Sequence, residues 1–480
     1  MGKKFLRTKI IATIGPTSWN KETIEKMLLA GTNVFRLNFS HFNYEKFEEI
    51  INIIRETSTA LKIPCAILAD LQGPKLRIGE IKEGTILKND SYILITNKEI
   101  IGDENGFTLR YNNFNELHKG DQVLIDDGKI ILRIEEILNE KELKAKVIRG
   151  GLLLSQKGFN IPQANLSIPS VTEKDKEDIK FIINHDFDWL ALSFIRSAND
   201  IIQLREYLES LNSDISIIAK IEKPEALKQL NQIISLSDGV MIARGDLGVE
   251  MPIYQLPIWQ KRIITRARQL AKPVIVATQL LRSMIDDIIP SRAEVTDIAN
   301  AVLDGTDALL LTDETSLGNN PILVIETMAK IIGEVENNPE FNKLLTRNFK
   351  MASPLKINCN KIQYVTASIA ADVVLTYPIS AIIGLTYTGS SIIQISSYRS
   401  PVPIFAFTSQ NKVIRKLSLI WGVRSFFYDN QNSTDETIED TLNFLKENEY
   451  LESGDWVIHT ASMPINAKKH INTLKISIVE

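Results

Sequence analysis

Charged and polar residues follow several apolar runs of this chain, at the point where each run ends. Lys220 and Glu222 stand two positions apart at the end of one run, Asp246 follows the next, and Arg36 and Thr278 lie at the ends of two others. Residues two apart on a strand point to the same side, so Lys220 and Glu222 are expected to share a face. Charges at the ends of apolar strands are costly unless they are paired or used. The spacing therefore predicts that these side chains converge on one site.

The predicted site has the groups to hold a divalent cation and an anion together. Glu222 and Asp246 supply two carboxylates for Mg²⁺ or Mn²⁺, which would leave positions for substrate oxygens and water. Lys220 and Arg36 supply positive charge for a phosphoryl group or a developing oxyanion, and the N–H groups of Gly245 and Asp246 add donors. The spacing alone predicts a metal-dependent enzyme that acts on a small phosphorylated or carboxylated anion. The alternative is an ion-pair network that only closes the fold.

Eight short apolar runs alternate with longer amphipathic stretches and supply the elements that must position these residues. The predicted strands are residues 9–15, 33–40, 65–70, 188–194, 216–222, 239–245, 273–278 and 308–314. Nearly continuous apolar runs are typical of strands that are buried on both faces. Eight such strands with intervening helices predict an α/β fold with a closed (β/α)₈ TIM barrel, whose catalytic residues cluster at the carboxyl ends of its strands.

Two regions depart from this alternation. Residues 74–169 contain short alternating runs with turn signals such as Asp127-Gly128, a type I′ hairpin signal, and predict an inserted β-barrel-like lid domain. Beyond about residue 340, three strand-like runs separated by helices predict a C-terminal α/β domain. The predicted domains are a catalytic barrel (1–73 and 170–340), the lid (74–169) and a regulatory domain (341–480). A lid over the barrel would exclude water and protect a transferable phosphoryl group from hydrolysis.

The composition excludes several other classes of protein. Of 480 residues, 44% are hydrophobic and 24% are charged, which is typical of a soluble globular chain. Lys plus Arg number 55 against 59 for Asp plus Glu, and this balance gives no support to nucleic-acid binding. Two cysteines, Cys65 and Cys359, cannot build a disulfide framework or a cysteine-rich metal cluster. With no run near the ~18 residues that span a bilayer and no signal-peptide pattern, we expect a cytoplasmic protein without a membrane partner.

At the residues of the predicted site, and along nearly the whole chain, the sequence resembles the pyruvate kinase family. The motifs that carry the resemblance are RTKIIATIGP (7–16), FRLNFSH (35–41), GPKLR (73–77), IIAKIEKPEA (217–226), MIARGDLGVE (241–250), PVIVATQLLRSM (273–284) and SRAEVTDIANAVLDGTDALLLTDET (291–315). The resemblance implies transfer of a phosphoryl group from phosphoenolpyruvate to ADP, which gives pyruvate and ATP in glycolysis. It also implies a homotetramer.

The resemblance assigns roles to individual residues. Glu222 and Asp246 match the divalent-metal ligands, and Lys220 matches the lysine that stabilises the transferring phosphoryl group and the enolate. Arg36 matches an arginine that contacts phosphate, and Thr278 lies beside the substrate carboxylate and the face that is protonated. The residues implied to bind substrate are Arg36, Lys220, Gly245, Asp246 and Thr278, and those implied to bind nucleotide are Asn38, His41, Arg77 and Lys157. Ser193 and Arg196 are expected to support the mouth of the barrel.

One departure from the family pattern concerns the K⁺ site. The family's K⁺ ligands fall here on Asn38, Ser40, Asp70 and Leu71, but Lys75 replaces the usual glutamate. An ammonium group there could supply the positive charge that the alkali cation supplies elsewhere in the family. We therefore predict that activity does not require K⁺; a solvated surface lysine is the alternative.

A second departure concerns the effector site of the C-terminal domain. Its predicted residues are Thr386, Thr388, Gly389, Ser390 and Ser391, which lie between a strand and a helix. Hydroxyls, a glycine and free helix N–H groups suit a phosphate, and the family places its sugar-phosphate effector loop here. An ordinary helix N-cap is the alternative. The family's second, glycine-rich effector segment is missing, although Lys468 and Lys469 could meet a second phosphate.

Two other functions compete with this one. A metal-dependent lyase acting on pyruvate or its enolate could use a related barrel, but it would need no nucleotide phosphate site such as Arg77 and Lys157. A catalytically inactive binding protein is disfavoured by the intact set of Lys220, Glu222 and Asp246.

Overall fold

Eight parallel strands close into a barrel in the computed structural model, which describes residues 6–40, 43–74, 76–162, 164, 166–340, 361–430, 433–463 and 470–480. The first part of the barrel consists of β1 (Lys9–Thr13), α1 (Lys21–Ala30), β2 (Thr32–Asn38), α2 (Tyr44–Leu61) and β3 (Ala66–Asp70). Every residue of β1 and β3 is buried, as the continuous apolar runs predicted. The side chains of Asn20 and Asn43 cap α1 and α2 by accepting backbone N–H bonds.

After β3 the chain forms the lid domain from eight short strands. They are β4 (Ile86–Leu87), β5 (Tyr92–Thr96), β6 (Gly106–Thr108), β7 (Gln122–Ile125), β8 (Ile130–Asn139), β9 (Glu142–Arg149), β10 (Gly151–Leu152) and β11 (Phe159–Asn160), with one 3₁₀ turn at Phe114–Glu116. Six strands form a sheet in the order β11-β7-β8-β9-β5-β6, and β4 pairs with β10. The hairpin predicted at Asp127-Gly128 is present between β7 and β8. Its loop is longer than a two-residue type I′ turn, because Ile125 pairs with Ile130 and leaves residues 126–129 outside the ladder.

The chain then returns to the barrel and completes it. The elements are α3 (Glu173–Asn184), β12 (Trp189–Leu192), α4 (Ala198–Ser210), β13 (Ser216–Ile221), α5 (Pro224–Lys228), α6 (Leu230–Leu236), β14 (Gly239–Ala243), α7 (Arg244–Glu250), α8 (Leu256–Gln269), β15 (Val274–Ala277), α9 (Arg292–Leu303), β16 (Ala308–Leu311), α10 (Asp313–Ser316) and α11 (Pro321–Asn337), with 3₁₀ turns at Ile253–Gln255 and Arg282–Ile285. The hydrogen-bonded order β1-β16-β15-β14-β13-β12-β3-β2 closes the barrel. The predicted (β/α)₈ barrel is therefore confirmed.

A five-stranded sheet forms the C-terminal α/β domain. Its elements are α12 (Lys361–Thr376), β17 (Ile379–Leu385), α13 (Ser390–Ser396), β18 (Ile404–Thr408), α14 (Asn411–Leu417), β19 (Val423–Phe427), α15 (Thr434–Glu447), β20 (Trp456–Ala461) and β21 (Thr473–Ile478). The strand order is β19-β18-β17-β20-β21, and β21 is antiparallel to β20. The sequence predicted only β17, β18 and β20. It missed β19 and β21 because they are the edge strands and carry partly exposed residues, so neither forms a continuous apolar run.

The C-terminal domain packs against the amino-terminal end of the barrel. Trp189 at the start of β12 donates its indole N–H to the carbonyl of Lys416 at 3.3 Å, and Lys9 Nζ at the start of β1 donates to the carbonyl of Val423 at 2.8 Å. Residues inside the barrel form one hydrophobic cluster with residues of the C-terminal domain. This end is therefore closed, and the carboxyl ends of the strands form the mouth. Of the helices in the described ranges, none combines the length and the hydropathy needed to cross a membrane.

Candidate active site

A cluster of four charged side chains lies at the carboxyl ends of β2, β3 and β13. Lys220 Nζ is 2.9 Å from Asp70 Oδ1 and 2.9 Å from Glu222 Oε1. Arg36 Nε donates to Asp70 Oδ2 at 2.7 Å. Lys220 also donates to Ser193 Oγ at 2.7 Å, which places Ser193 at the mouth as expected. The structure thus brings together Lys220, Glu222 and Arg36, which the sequence assigned to one site from their positions at strand ends.

Burial and neighbouring charges shift the pKa values of this cluster in different directions. Burial alone would lower the pKa of Lys220, but the carboxylates of Asp70 and Glu222 outweigh it and the pKa is raised. Burial alone would raise the pKa of Asp70, but Lys220 and Arg36 outweigh it and the pKa is lowered. Burial and the nearby charge of Asp246 raise the pKa of Glu222 to about 7, against the opposing effect of Lys220. The positive charge near Glu222 therefore does not fully offset the cost of burying its ionised carboxylate.

Glu222 and Asp246 have the chemistry of a divalent-metal site. Glu222 Oε2 accepts the N–H of Phe194 at 2.5 Å, and such outer partners orient the carboxylates that bind metals. Asp246 lies in the first turn of α7 and lines a cavity at the mouth. The described residues contain no group of three or more His, Cys, Asp or Glu side chains that could hold a metal ion alone. The pair therefore suits Mg²⁺ or Mn²⁺, because these ions keep positions for substrate and water oxygens when two carboxylates bind them.

Thr278 lies beside the start of α7, and its contact there differs from the sequence expectation. The N–H of Gly245, expected to face an anion, donates to Thr278 Oγ1 at 2.8 Å. In this structure the hydroxyl of Thr278 accepts the N–H that was expected to face the anion. Thr278 has a backbone φ of 68° and Gln279 a φ of 57°. A positive φ is a genuine outlier for a β-branched residue such as threonine, and it requires support from its surroundings.

The support comes from Arg244, which the sequence pattern did not assign to the site. Its guanidinium is buried and donates to the carbonyl of Thr278 at 2.7 Å and to that of Ala277 at 3.3 Å. The same guanidinium pairs with Asp297 of α9 at 2.6 Å. A buried arginine at the end of an apolar strand is itself a signal, since it needs partners. Nothing in the local sequence pattern identifies Asp297 as that partner.

The residues expected to bind nucleotide are divided between the lid and the barrel. On the lid, Arg77 Nη1 donates to the carbonyl of Gln156 at 2.8 Å, and Lys157 Nζ lies 3.0 Å from Asp126 Oδ1. At the mouth, Asn38 Oδ1 accepts the N–H of Ser40 at 3.2 Å. Neither lid cation hydrogen-bonds to the Lys220 cluster in the described part of the chain. His41 lies outside the described residues.

A cavity of about 110 Å³ lies between the lid and the mouth of the barrel. Its walls include Asp246 and Phe194 from the barrel and Gly158 and Phe159 from the lid. Gly158 follows Lys157 and pairs with Arg77 in an isolated β-bridge. The backbone next to the predicted nucleotide residues of the lid and the predicted metal ligand Asp246 therefore line the same cavity.

Arg196 tethers the lid near this cavity. Its guanidinium donates to the carbonyls of Leu166 and Ile168, in the segment that returns from the lid to the barrel. Through this contact Arg196 holds the returning segment against the barrel, which is the kind of supporting role expected of it.

The four residues expected at the K⁺ site each take part in a hydrogen bond within the protein, Ser40 through its backbone N–H. Both carboxylate oxygens of Asp70 accept bonds, from Lys220 and from Arg36. The carbonyl of Leu71 accepts the hydroxyl of Ser193 at 2.7 Å, and Asn38 is bonded to Ser40. Lys75, on which the prediction of K⁺ independence depends, lies outside the described residues.

The predicted effector loop lies between β17 and α13 and is held by its own hydroxyl groups. Thr386 Oγ1 accepts the N–H of Gly389 at 3.0 Å, and the hydroxyls of Thr388 and Ser390 are 3.2 Å apart. Gly389 has a φ of 82°, a backbone conformation that favours glycine. Ser391 lies within 3.4 Å of Thr386 Oγ1. Lys468 and Lys469, considered for a second phosphate, lie outside the described residues.

Comparison with known proteins gives consistent matches over the whole chain. The family model of the pyruvate kinase barrel domain matches residues 5–325, and that of the pyruvate kinase alpha/beta domain matches residues 365–477. The pyruvate kinase of Thermococcus litoralis is 40% identical over 474 residues, covering 98% of each chain. Pyruvate kinase 2 of Synechocystis is 38% identical over 479 residues, covering 99% of this chain and 79% of its own. A crystal structure of a pyruvate kinase from Cryptosporidium parvum superimposes with a TM-score of 0.92 at 31% identity, covering 99% of this chain and 96% of the other.

Proposed function

The chain belongs to the pyruvate kinase family and is a phosphotransferase, and we propose which of its residues transfer the phosphoryl group of phosphoenolpyruvate to ADP. The family implies these two substrates and a divalent metal. The matched models and relatives give no support to the lyase alternative.

The placement of Lys220 carries the assignment of the catalytic residues. Its ammonium is buried between Asp70 and Glu222, and the raised pKa keeps it charged. A fixed positive charge stabilises the transferring phosphoryl group and the enolate oxygen that it leaves behind. A divalent ion held by Glu222 and Asp246 would neutralise charge on the phosphate oxygens when bound. In this proposal the positive charge of Lys220 acts on the substrate, and the negative charges of Glu222 and Asp246 hold the metal.

Arg36 and Thr278 complete the substrate site in this proposal. Arg36 is positioned by its bond to Asp70, and its remaining N–H groups suit phosphate oxygens, because the guanidinium carries five donors. Thr278 is fixed against Gly245. We assign it to the substrate carboxylate and to the face of the enolate that receives the proton.

We assign the nucleotide phosphates to Arg77 and Lys157 on the lid, with Asn38 and His41 at the mouth. The support is that Gly158, which follows Lys157 and pairs with Arg77, lines the same cavity as Asp246. The side chain of Lys157 is 36% exposed, so its pair with Asp126 can exchange for a phosphate at low cost.

A coupled assay for pyruvate formation tests this function. We expect turnover that requires phosphoenolpyruvate, ADP and Mg²⁺ or Mn²⁺ together, with ATP formed in a one-to-one ratio to pyruvate. Pyruvate formation without ADP, or without ATP as a product, would contradict the proposal.

We propose further that turnover does not require K⁺. The support is the ammonium group of Lys75 in place of the usual glutamate, together with the two cations that already neutralise Asp70. Turnover should persist when tetramethylammonium replaces K⁺, whereas the Lys75→Glu variant should become K⁺-dependent. Equal K⁺ dependence of the unchanged enzyme and the Lys75→Glu variant would contradict the proposal that Lys75 replaces K⁺.

Regulation, assembly and location follow from the family and the sequence as proposals. We propose that Thr386, Thr388, Gly389, Ser390 and Ser391 bind a sugar-phosphate effector, that the protein is a homotetramer and that it is cytoplasmic. Assays with fructose 1,6-bisphosphate and with a sugar monophosphate should show activation that is lost in a Thr388→Ala/Ser390→Ala double variant. Light scattering of the purified protein measures the assembly, and a mass other than four chains would contradict the tetramer.

A further inference from the structure

Gln156 of the lid has a backbone conformation that is unusual for its residue type. It directly precedes Lys157, and its φ is 61°. Left-handed backbone is costly for residues other than glycine, asparagine and aspartate. Such strain persists only where the surroundings fix it, and it clusters at functional sites. Contacts around Gln156 must therefore hold it in this conformation.

The backbone of Gln156 is tied to a neighbouring segment of the lid on both sides. Its N–H donates to the carbonyl of Gly79 at 3.2 Å, and its carbonyl accepts Arg77 Nη1 at 2.8 Å. The carbonyl of Lys157 accepts the N–H of Ile78 at 2.9 Å. The conformation of Gln156 therefore sets the direction of Arg77 through a hydrogen bond, and that of Lys157 through the peptide that joins them. A guanidinium carries five donors, so the bond to this carbonyl leaves others for a phosphate.

The side-chain amide of Gln156 is held at both ends. Its Oε1 accepts Arg110 Nη1 at 2.7 Å, and its Nε2 donates to Glu80 Oε1 at 2.5 Å. Arg110 is fixed in its turn by Glu99, whose Oε1 accepts the Nε of Arg110 at 2.7 Å. An amide has an acceptor on one side and a donor on the other, so it matches a guanidinium and a carboxylate together. A carboxylate in its place would meet Glu80 with a like charge, and an ammonium would meet Arg110.

This network contributes little to the stability of the lid. The side chains of Arg110 and Glu99 are 38% and 61% exposed, and Glu80 is exposed as well. Bonds between exposed charged groups contribute little energy, and ordering long side chains costs entropy. Three exposed side chains are nevertheless ordered around one strained residue. We therefore look for the purpose of the network in what Gln156 orients.

We propose that Gln156 is a positioning residue that directs Arg77 and Lys157 toward the phosphates of the nucleotide. The inference rests on the proposed function, in which these two cations bind those phosphates. Gln156 acts through its backbone: its carbonyl holds Arg77, and the peptides that follow lead to Gly158, which lines the cavity at the mouth. Its amide side chain, bonded at both ends, keeps that backbone left-handed.

Steady-state kinetics of Gln156→Ala tests the proposal, because alanine lacks the amide and disfavours the left-handed backbone. We expect the KM for ADP to rise roughly tenfold, as for the loss of one well-directed bond to a phosphate. The kcat at saturating ADP and the KM for phosphoenolpyruvate should stay within about twofold of those of the unchanged enzyme. Calorimetry should show the same loss in the affinity for Mg²⁺-ADP. Gln156→Gly should bring the KM for ADP back to within about threefold of the unchanged value, since glycine adopts this backbone without strain.

Two further variants separate positioning from a general defect of the lid and from a failure of the proposed function. Asp90, in the turn before β5, also has a left-handed backbone, with a φ of 63°. Asp90→Ala is therefore the matched control and should leave the KM for ADP unchanged. Arg77→Gln tests the nucleotide assignment itself and should raise the KM for ADP at least as much as Gln156→Ala does.

The contrary results are distinguishable. An unchanged KM for ADP in Gln156→Ala, beside a raised one in Arg77→Gln, would overturn the positioning role and leave the proposed function intact. An unchanged KM for ADP in Arg77→Gln would overturn the nucleotide assignment and the role of Gln156 with it. The positioning role also fails if the KM for phosphoenolpyruvate rises together with that for ADP, or if Gln156→Gly is no better than Gln156→Ala.

Discussion

The two ends of the barrel both bury ion pairs, but they satisfy them differently. At the amino-terminal end, Asp307 accepts bonds from Arg399, from the N–H of Val274 and from the N–H of Trp421. At the carboxyl end, Glu222 accepts bonds from Lys220 and from one backbone N–H. No side-chain hydrogen bond holds Asp246 within the described ranges, although its charge reaches Glu222 and raises the pKa there.

The difference separates a structural ion pair from a functional one. A buried carboxylate that accepts three bonds from the protein, as Asp307 does, mainly stabilises the contacts around it and has fewer lone pairs left for a ligand than Glu222 or Asp246. When two carboxylates are close enough for one to raise the pKa of the other, their oxygens still have free lone pairs. A bound cation removes the repulsion between them. Saturation of the hydrogen bonds, rather than burial or charge, therefore distinguishes the site from the interface between domains.

The largest expected effect is on turnover, from Lys220→Met at the mouth. Loss of the fixed positive charge should lower kcat by about 10³-fold or more, because one group that stabilises transition-state charge contributes on this scale. Mn²⁺ binding, measured by electron paramagnetic resonance, should persist, since Glu222 and Asp246 remain. The exposed neighbour Lys228 supplies the control variant Lys228→Met, which should keep full turnover. Turnover of Lys220→Met within about tenfold of the unchanged enzyme would be too small a loss for the assigned role.

At the opposite end, Asp307→Asn should affect stability and leave turnover per folded molecule unchanged. The substitution leaves Arg399, which is 2% exposed, without its carboxylate, and breaking a buried pair costs about 3–5 kcal/mol. Chemical denaturation measures this loss. Lys412→Gln is the matched control, because it breaks an exposed pair with Asp214 across the same two domains and should cost less than about 1 kcal/mol. A kcat that falls with Asp307→Asn would show that the two ends are not separable.

The sequence predicted the barrel and the grouping of Lys220, Glu222 and Arg36, because both follow from local pattern. Continuous apolar runs identify strands buried on both faces, and the alternation of side chains places Lys220 and Glu222 together. The contacts that complete the site join residues far apart in sequence. Arg244 meets Asp297 53 positions away, and Arg399 meets Asp307 92 positions away. Only the closed fold selects such partners. The edge strands β19 and β21 were missed because their exposed residues interrupt the apolar pattern.

A smaller effect on turnover is expected from Asp297→Asn. This change removes the anionic partner of Arg244, which fixes the left-handed backbone at Thr278. We expect kcat to fall roughly tenfold, as for a modest misplacement of a reacting group, while Mn²⁺ binding is retained. Asp286→Asn, on the exposed loop after β15, is the control that should leave kcat unchanged. A rise in the KM for phosphoenolpyruvate at constant kcat would contradict a role in positioning Thr278 for the chemical step.

The last expected effect is on the pH dependence of stability, and it concerns a second buried lysine of the same barrel. Lys9 at the amino-terminal end donates to the carbonyl of Val423, and burial lowers its pKa to about 7. Lys220 at the carboxyl end has its pKa raised instead, because two carboxylates outweigh the burial. The pKa values of the two buried lysines are thus shifted in opposite directions, because nearby carboxylates outweigh burial only at the carboxyl end.

The sign of the Lys9 effect follows from proton counting. Between pH 7 and the usual lysine pKa of 10.5, the unfolded chain holds the Lys9 proton and the folded chain releases it. Stability contributed by this group therefore rises with pH across that window, by up to about 1.4 kcal/mol per pH unit, and the gain is lost below pH 7. Denaturation at several pH values should give a shallower slope for Lys9→Met than for the unchanged protein, whereas Lys21→Met, at an exposed lysine, should not alter it. Identical slopes for all three proteins would mean that Lys9 stays charged in the fold. The charges at the amino-terminal end would then offset the burial of their lysine as fully as the carboxylates at the mouth do.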